Sequence, residues 1–384
     1  FFFLKSCGLH LKNFAFCLLV LSIPVVLAGL LQPYAVIKHE LFIQQISEQI
    51  RMVRGTDRMP WSNQYYLSAP YIYYLIQIYR YTMGPLEGLA ALLGFTVLVT
   101  NLRERSRSEI ILLSFLVVFF FQIGAYEVKF QRYLLPIYPL LAICAAYGLV
   151  WLNNLSRSKL RPIVTAAIGC VLIWSSVKAV ARAKTYLHPF IHITASREMC
   201  DNIPSGSKIL QVSWDSPLPD CGHLENPPDL SMQAPEWELD PYDVSQSEEL
   251  LQQYGHKLSA ANYLVMGSTR VFRGVLSVPE EYPLSAALLK LLASGWLGYE
   301  LIATYKADIK IGSWYINDDL ADESLVVHDR PKVYLFKNVE NLDPNEIVKR
   351  ISHFPHPRDR MKLRDILALR QTPNYAATTI TDRR

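Results

Sequence analysis

The strongest constraint on the fold is a set of long apolar runs in the first half of the chain. A helix needs roughly 20 mainly apolar residues to cross a bilayer core of about 30 Å, because each backbone amide must be hydrogen-bonded within its own segment. Five windows meet this requirement: 14–31, 84–100, 110–126, 133–152 and 162–181. Their charged residues Glu87 and Lys178 lie near a window end, where we expect them to reach the interface. The runs predict membrane spans; helices buried in a large soluble core are the alternative.

Charge divides the chain into two parts. Residues 1–184 carry a net charge of +11 and residues 185–384 a net charge of −7. This split predicts an α-helical polytopic membrane domain over 1–184, followed by a small extracytoplasmic α/β domain over 185–342. A charged, partly disordered tail is expected over 343–384.

Basic loops set the expected orientation, since Lys and Arg are retained on the cytoplasmic side of a membrane. Basic residues lie before the first window, after the second and after the fourth: Lys5, Lys12, Arg103, Arg105, Arg107, Arg157, Lys159 and Arg161. The segments 32–83 and 127–132, and everything after about residue 182, are therefore predicted to be extracytoplasmic. We expect an integral, multi-pass protein of the plasma membrane.

The segment 32–83 is polar at its start and rich in tyrosine from Tyr65 onward. Tyrosine favours the headgroup zone, where its ring is buried and its hydroxyl remains hydrated. This predicts an interfacial loop that contains a polar helix near 41–53 and a helix at the membrane surface. A sixth span over 71–83 is the alternative, but it would invert the basic-loop pattern.

The later part of the chain has the short apolar runs of an α/β fold. Strands are predicted at 208–214, 263–267, 299–305, 324–328 and 333–337, and helices at 247–254 and 284–294, with a Pro-rich loop over 217–241. Beyond residue 342 we expect a surface helix followed by disorder. Cys200 and Cys221 are the only cysteines of this part, and an oxidising compartment would permit a disulfide, although spacing alone leaves their pairing open.

The segment between the third and fourth windows carries two cations, Lys129 and Arg132, beside Gln131 and Tyr133. Two cations at headgroup depth form a site suited to an anionic phosphate, which arginine binds through two hydrogen bonds. Ordinary anchoring of a helix end at the interface is the alternative.

Residues 129–142 and 145–149 resemble a motif found in a late membrane span of GT-C glycosyltransferases, which are membrane enzymes with polyprenyl-phosphate sugar donors. The segments 61–73, 83–89 and 321–337 are also similar to bacterial relatives of the dolichyl-phosphate-mannose protein mannosyltransferases. This resemblance implies transfer of a sugar from a polyprenyl-phosphate carrier to an acceptor that remains unidentified, outside the cytoplasm. It assigns Lys129, Arg132 and Tyr133 to the donor phosphate.

The family's catalytic acid lies in a first extracytoplasmic loop, and Glu40, Glu48 and Asp57 do not stand in the paired setting expected there. No catalytic residue is therefore assigned. The chain starts at Phe1 without an initiator methionine or a basic signal region, so we expect a fragment, with a processed mature end as the alternative.

Five further residues are candidate contacts to substrate, with service in an interfacial aromatic belt as the alternative for the aromatic ones. They are Trp61, Gln64, Tyr65, Tyr71 and Glu127. Two acidic pairs, Asp318-Asp319 and Asp322-Glu323, suggest a calcium site, but they lack the spaced loop of one, and we predict a solvated turn.

No phosphate-binding or dinucleotide-binding glycine motif and no Cys/His metal spacing occurs, so we predict no cofactor, no metal and no nucleic-acid partner. The expected partners are membrane lipid, the polyprenyl-phosphate sugar and its acceptor. Two other functions remain open. One is a non-catalytic protein that binds glycan or other envelope components, and the other is a transporter, which the scarcity of intramembrane charge disfavours.

Overall fold

The computed structural model describes residues 11–100, 102, 105–214, 216–222, 224–225, 227–230, 237–354 and 362–369. The chain divides into two compact units at the junction of Asp57 and Arg58. The first unit contains helices α1 (Leu11–Leu31), α2 (Pro33–Ile37) and α3 (His39–Val53). Helix α1 contains the first predicted span, and α3 confirms the predicted polar helix. Near the end of this unit Arg51 pairs with Asp57 at 2.7 Å.

The second unit begins with irregular helical turns and continues with long apolar helices. The turns are a 3-10 segment at Pro60–Tyr65, helix α4 (Ile72–Gln77) and a π segment at Ile78–Thr82. The helices are α5 (Pro85–Thr100), α6 (Arg107–Gly124), α7 (Tyr138–Leu155) and α8 (Arg161–Lys184), with 3-10 segments at Gln131–Ile137 and Thr185–Leu187. A capping box of Ser106 and Glu109 starts α6.

Among the described residues, three helical stretches are long and apolar enough to cross a membrane: Arg107–Gly124, Gln131–Leu155 and Arg161–Leu187. They coincide with three of the five predicted windows and are candidate spans by length and composition, whereas α5 is apolar but only 16 residues long. None of the apolar window of Arg161–Leu187 is buried inside the protein. Side chains such as Ile173, 66% exposed, are available to lipid.

Glu87 and Lys178, which were predicted to reach the interface, form an ion pair with each other. The Lys178 Nζ lies 2.6 Å from the Glu87 Oε1, and the Ser175 hydroxyl donates to the same carboxylate. Lys178 also donates to the Met83 carbonyl at 3.1 Å. Pairing offsets part of the cost of desolvating both charges, so the two side chains join the ends of α5 and α8.

Helices α5 and α7 cross in backbone contact at two glycines. A Cβ added to Gly94 would lie 1.7 Å from the Cys144 carbonyl oxygen, and one on Gly148 would lie 2.6 Å from the Ala90 carbonyl oxygen. Small residues at a crossing let two membrane helices pack through their backbones, where dispersion contacts are densest.

The α/β part contains a five-stranded sheet in the order β2-β1-β3-β7-β4, in which β1 is parallel to β2 and β3, and β7 is antiparallel to β3 and β4. The strands are β1 (Ile209–Val212), β2 (Glu238–Leu239), β3 (Tyr263–Met266), β4 (Tyr299–Tyr305) and β7 (Val333–Asn338). Strands β5 (Ile309–Ile311) and β6 (Trp314–Ile316) form a separate hairpin. The helices are α9 (Ile191–Asn202), α10 (Glu248–Ala260), α11 (Arg270–Ser277), α12 (Pro283–Ala293), α13 (Glu323–Val326), α14 (Pro344–Ser352) and α15 (Leu363–Leu367).

Helices cover both faces of this sheet, which explains the continuous apolar runs of its strands. Leu264 and Met266 of β3 pack into one core with α10 to α12, while Tyr263 and Val265 pack into the other with α9. The predicted strands near 209, 263, 299 and 333 are confirmed, as are the helices that became α10 and α12. Helix α14 also contributes Ile347 and Ile351 to the larger core.

The predicted strand at 324–328 is wrong. Residues Glu323–Val326 form the short helix α13, because the Asp322 side chain accepts a hydrogen bond from the Ser324 amide at 2.9 Å and caps its first turn. Residues 355–361 and 370–384 of the predicted tail, which include the end expected to be disordered, lie outside the described residues.

Candidate functional site

The connector between α6 and α7, residues 125–137, lies at the same end of the helices as the α/β sheet. The Tyr71 amide donates to the Gly124 carbonyl at 3.3 Å, and the Arg182 guanidinium donates to the Tyr81 carbonyl at 3.1 Å. These contacts gather the end of α6, the end of α8 and the segment before α5. In the connector itself, Leu134 and Ile137 are buried against Tyr74 and Ile78.

Asp322 joins the α/β domain to this connector. Its side chain is completely buried and its carboxylate accepts four hydrogen bonds. The donors are the Tyr65 hydroxyl at 2.9 Å, the Tyr73 hydroxyl at 2.8 Å, the Gln131 backbone amide at 3.1 Å and the Ser324 backbone amide at 2.9 Å. The Asp322 amide in turn donates to the Gln77 side-chain oxygen at 3.0 Å. The prediction of a solvated turn at Asp322-Glu323 is therefore wrong.

The donors to Asp322 explain why a carboxylate tolerates this environment. A buried carboxylate without partners costs several kcal/mol, and hydrogen bonds to a charged group contribute about 1.5–3 kcal/mol each. Burial, together with the nearby Asp322 carboxylate, raises the pKa of Tyr65 and of Tyr73 well above the usual value. Both phenols therefore keep their protons and remain donors, which holds the connector at a fixed distance from the sheet.

Asp318 and Asp319 are also buried, so the solvated-turn prediction fails for this pair as well. The Lys306 Nζ lies 2.8 Å from a carboxylate oxygen of each, and the Arg330 Nη2 lies 2.5 Å from the Asp318 Oδ2. Burial opposes the charged forms, but these partners outweigh it, so the pKa of Asp318 is lowered and that of Lys306 is raised. Among the described residues, no group of three or more His, Cys, Asp and Glu is placed to hold a metal ion.

Lys129, a residue of the connector, is buried, with 1% of its surface exposed. Its Nζ donates to the Glu127 carbonyl oxygen at 2.8 Å. Burial lowers the pKa of Lys129, and the Glu127 carboxylate offsets part of this effect. Within the described part of the chain no carboxylate forms an ion pair with this ammonium, so it retains donor capacity.

Arg132 is exposed beside Lys129. Its guanidinium lies over the Phe130 ring, 4.0 Å from the centroid, and 6.0 Å from the centroid of Tyr133. Stacking on an aromatic face leaves the edges of the guanidinium available to oxygen ligands. Its backbone amide faces the Ser324 hydroxyl at 3.4 Å. The connector therefore presents one accessible cation and one buried cation.

The five candidate substrate contacts divide between two places. Tyr65 belongs to the Asp322 cluster, and Gln64 donates to the Glu323 carboxylate. Trp61 faces Trp214 of the α/β domain, with ring centroids 5.4 Å apart. Tyr71 instead packs against Phe120 and Phe121 at the end of α6, and Glu127 contributes the carbonyl that accepts from Lys129.

Cys200 and Cys221 form the disulfide that spacing alone left open, with Cα atoms 5.9 Å apart. The bond links α9 to the loop after β1. Among the described cysteines, Cys144 is buried between helices and Cys170 is exposed, and both are free.

Sequence reasoning singled out Asp322 and Glu323 only as a solvated acidic pair, and it did not single out Trp214. The one available signal was chemical. The tyrosine-rich segment 65–74 supplies hydroxyl donors, and the acidic pairs supply acceptors. More than 240 positions separate the two in sequence, as in the 249 positions between Tyr73 and Asp322, and no local pattern encodes such a pairing.

Residues 60–210 match the model of the Alg9-like mannosyltransferase family. This family is of the GT-C type, so the match supports the resemblance at the level of the superfamily and supports a glycosyltransferase. Together with the three long apolar helices, it indicates a membrane protein. No curated protein and no solved structure matches the chain significantly.

Proposed function

We propose that the chain transfers a sugar from a polyprenyl-phosphate carrier to an acceptor on the extracytoplasmic side of the membrane. The sugar proposed is a mannosyl group. The observation that carries the proposal is the family match over residues 60–210. That segment includes both the aromatic turns at 60–82 and the 125–137 connector with its two cations.

The proposed chemistry is displacement at C1 of the sugar: an acceptor hydroxyl forms the new bond to C1 and gives up its proton to solvent, while the bond between C1 and the lipid phosphate oxygen breaks. Negative charge grows on the departing phosphate oxygen, and cations placed beforehand in a poorly hydrated site stabilise it most effectively. Arg132 is the accessible group for this role. Its stacking on Phe130 orients the guanidinium, and an oriented guanidinium can bind two phosphate oxygens at once. Lys129 adds positive charge from its buried position within the connector.

Two features support an extracytoplasmic position for the site. The exposed basic residues Arg107, Arg157, Lys159 and Arg161 lie at the opposite ends of α6 to α8 from the connector, which matches the retention of basic loops in the cytoplasm. The Cys200–Cys221 disulfide lies on the connector's side, and disulfides persist mainly in oxidising compartments.

The test is donor turnover with added mannosyl-phosphoryl-polyprenol by the protein in native membranes, which supply the acceptor, followed as release of polyprenyl phosphate. We expect Arg132→Ala combined with Lys129→Met to lower turnover by roughly 10²-fold or more. Arg132→Lys should recover only part of the loss, because an ammonium cannot bind two oxygens in the same geometry. Arg157→Ala, an exposed arginine at the opposite helix end, is the matched control.

Unchanged turnover in the double variant would remove the phosphate role from the connector. An equal loss in Arg157→Ala would show that the effect is one of general charge rather than of the site.

A further inference from the structure

A second cluster lies beside Asp322 and does not include the two cations of the connector, Lys129 and Arg132. It consists of two indoles and three polar side chains: Trp61, Trp214, Arg270, Glu323 and His328. We call it the indole face. Residues from the segment before α4, from the end of β1, from α11 and from the turn around α13 meet there, so it forms only in the folded chain.

Trp214 is held at the surface in a strained backbone conformation. Its φ angle is +70°, a left-handed conformation that side chains other than glycine rarely adopt, and half of the residue is exposed. Its Nε1 reaches the Asp240 carboxylate at 3.3 Å, and its ring meets Trp61 at 5.4 Å. A large apolar ring held at the surface by a strained backbone is typical of a binding site.

Glu323 is the polar centre of the face and is 1% exposed. Gln64 donates to one of its carboxylate oxygens. The other oxygen lies 3.6 Å from the Arg270 Nη2 and 3.5 Å from the His328 Nε2, both longer than an ordinary hydrogen bond. This buried oxygen therefore attracts Arg270 and His328 by charge and holds them at the edge of the face, where both side chains are partly exposed.

The Arg270 guanidinium has hydrogen-bond donors that the protein leaves partly unused. Its Nη2 makes a 3.0 Å contact with the His328 Nε2, and its Nη1 lies 3.5 Å from the Trp214 carbonyl oxygen. Its Nε is buried and has no hydrogen-bond partner among the described residues. A buried donor without a partner is costly, and a ligand oxygen or an ordered water normally satisfies it.

We infer that the indole face binds a pyranose residue of a neutral glycan. The apolar face of the ring would stack on Trp214 and Trp61, while its hydroxyls would form hydrogen bonds with the partly exposed Arg270 and His328 side chains. A neutral sugar fits better than a phosphate or carboxylate, because Glu323 already balances the charge of Arg270. The role of this glycan as acceptor of the transferred sugar rests on the proposed function; its binding does not.

The experiment measures binding of neutral mannotetraose to the detergent-solubilised full chain by calorimetry, without any lipid donor. Trp214→Gly removes the indole and also relieves the left-handed φ, so folding should be preserved while stacking is lost. We expect its dissociation constant to rise on the order of tenfold. His328→Ala changes an exposed side chain and should weaken binding without unfolding the protein. Trp296→Ala removes another exposed indole, 61% exposed, and should bind as the wild type does.

The inference fails if the wild type shows no saturable binding, or if Trp214→Gly and His328→Ala bind as tightly as Trp296→Ala. Tighter binding of a phosphorylated tetraose than of the neutral one would overturn the assignment to a neutral glycan. Because no donor is present, loss of donor turnover in the Arg132 variants and loss of glycan binding here are separate results.

Discussion

The hydroxyl of Tyr65 donates a 2.9 Å hydrogen bond to the carboxylate of Asp322, across 257 positions of sequence. Neither side chain is solvated: both are completely buried. The bond ties the segment before the apolar helices to the last third of the chain. With the Gln131 amide on the same carboxylate, it also fixes the connector that carries Arg132.

Removing this carboxylate should be far more damaging than removing an exposed one. Asp322→Ala leaves two phenols and two backbone amides without an acceptor, so we expect the free energy of unfolding to fall by about 2–4 kcal/mol. Tyr65→Phe and Tyr73→Phe each remove one donor and should cost less. Thermal unfolding in detergent measures the change, with the exposed Asp201→Ala as control. Equal midpoints for Asp322→Ala and Asp201→Ala would contradict the structural role.

The Asp318 pair should make stability depend on acid. Because the pKa of Asp318 is lower in the folded state than its ordinary value of 3.8, its contribution is present above that pH and is lost as pH falls through the folded value. Asp318→Asn should therefore lower the free energy of unfolding by about 3 kcal/mol at neutral pH. The difference from wild type should shrink in strong acid.

The control for that measurement is Asp57→Asn, which breaks an exposed pair with Arg51. Exposed pairs contribute about 0–1 kcal/mol, so this variant should stay close to wild type at every pH. A constant gap between wild type and Asp318→Asn down to strong acid would mean that the Asp318 charge is not the cause.

The crossing of α5 and α7 should reject even one methyl group. Gly94→Ala places a Cβ 1.7 Å from the Cys144 carbonyl oxygen, so the helices must separate, at an expected cost of about 1–3 kcal/mol. Gly169→Ala in α8 meets nothing within 4 Å and should be neutral or slightly stabilising, since alanine favours a helix. Midpoints of thermal unfolding compare the two, and a Gly94→Ala midpoint at or above that of Gly169→Ala would refute the close packing.

Labelling of single introduced cysteines can determine the orientation of the chain in the membrane. The starting variant keeps only the disulfide pair, Cys200 and Cys221, and has its other cysteines replaced. Ser108→Cys near the start of α6 and Ser294→Cys after α12 both replace exposed residues. An impermeant maleimide added to intact cells should label Ser294→Cys, and should label Ser108→Cys only after the membrane is opened. Labelling of both from outside would exclude the proposed topology.

The apolar helices and the strands of the sheet were predictable from sequence, because each depends on contacts that its own residues dictate. A helix that faces lipid must be apolar over most of its length, and a strand covered on both faces must be apolar at successive positions. The wrong prediction concerns one short polar segment. Asp318, Asp322 and Glu323 stand in a polar run that predicts a solvated turn, but all three are buried. A calcium loop was the alternative, and neither describes what the chain does.

What the sequence alone determined, then, is the division into apolar helices and a two-faced sheet, because the surrounding lipid or core sets those patterns residue by residue. Tertiary structure alone decided that Asp322 meets Tyr65 and Tyr73, and that Trp214 meets Trp61. A buried charge is stable only where several donors converge on it, and donors that lie hundreds of positions away leave no periodic trace in the sequence.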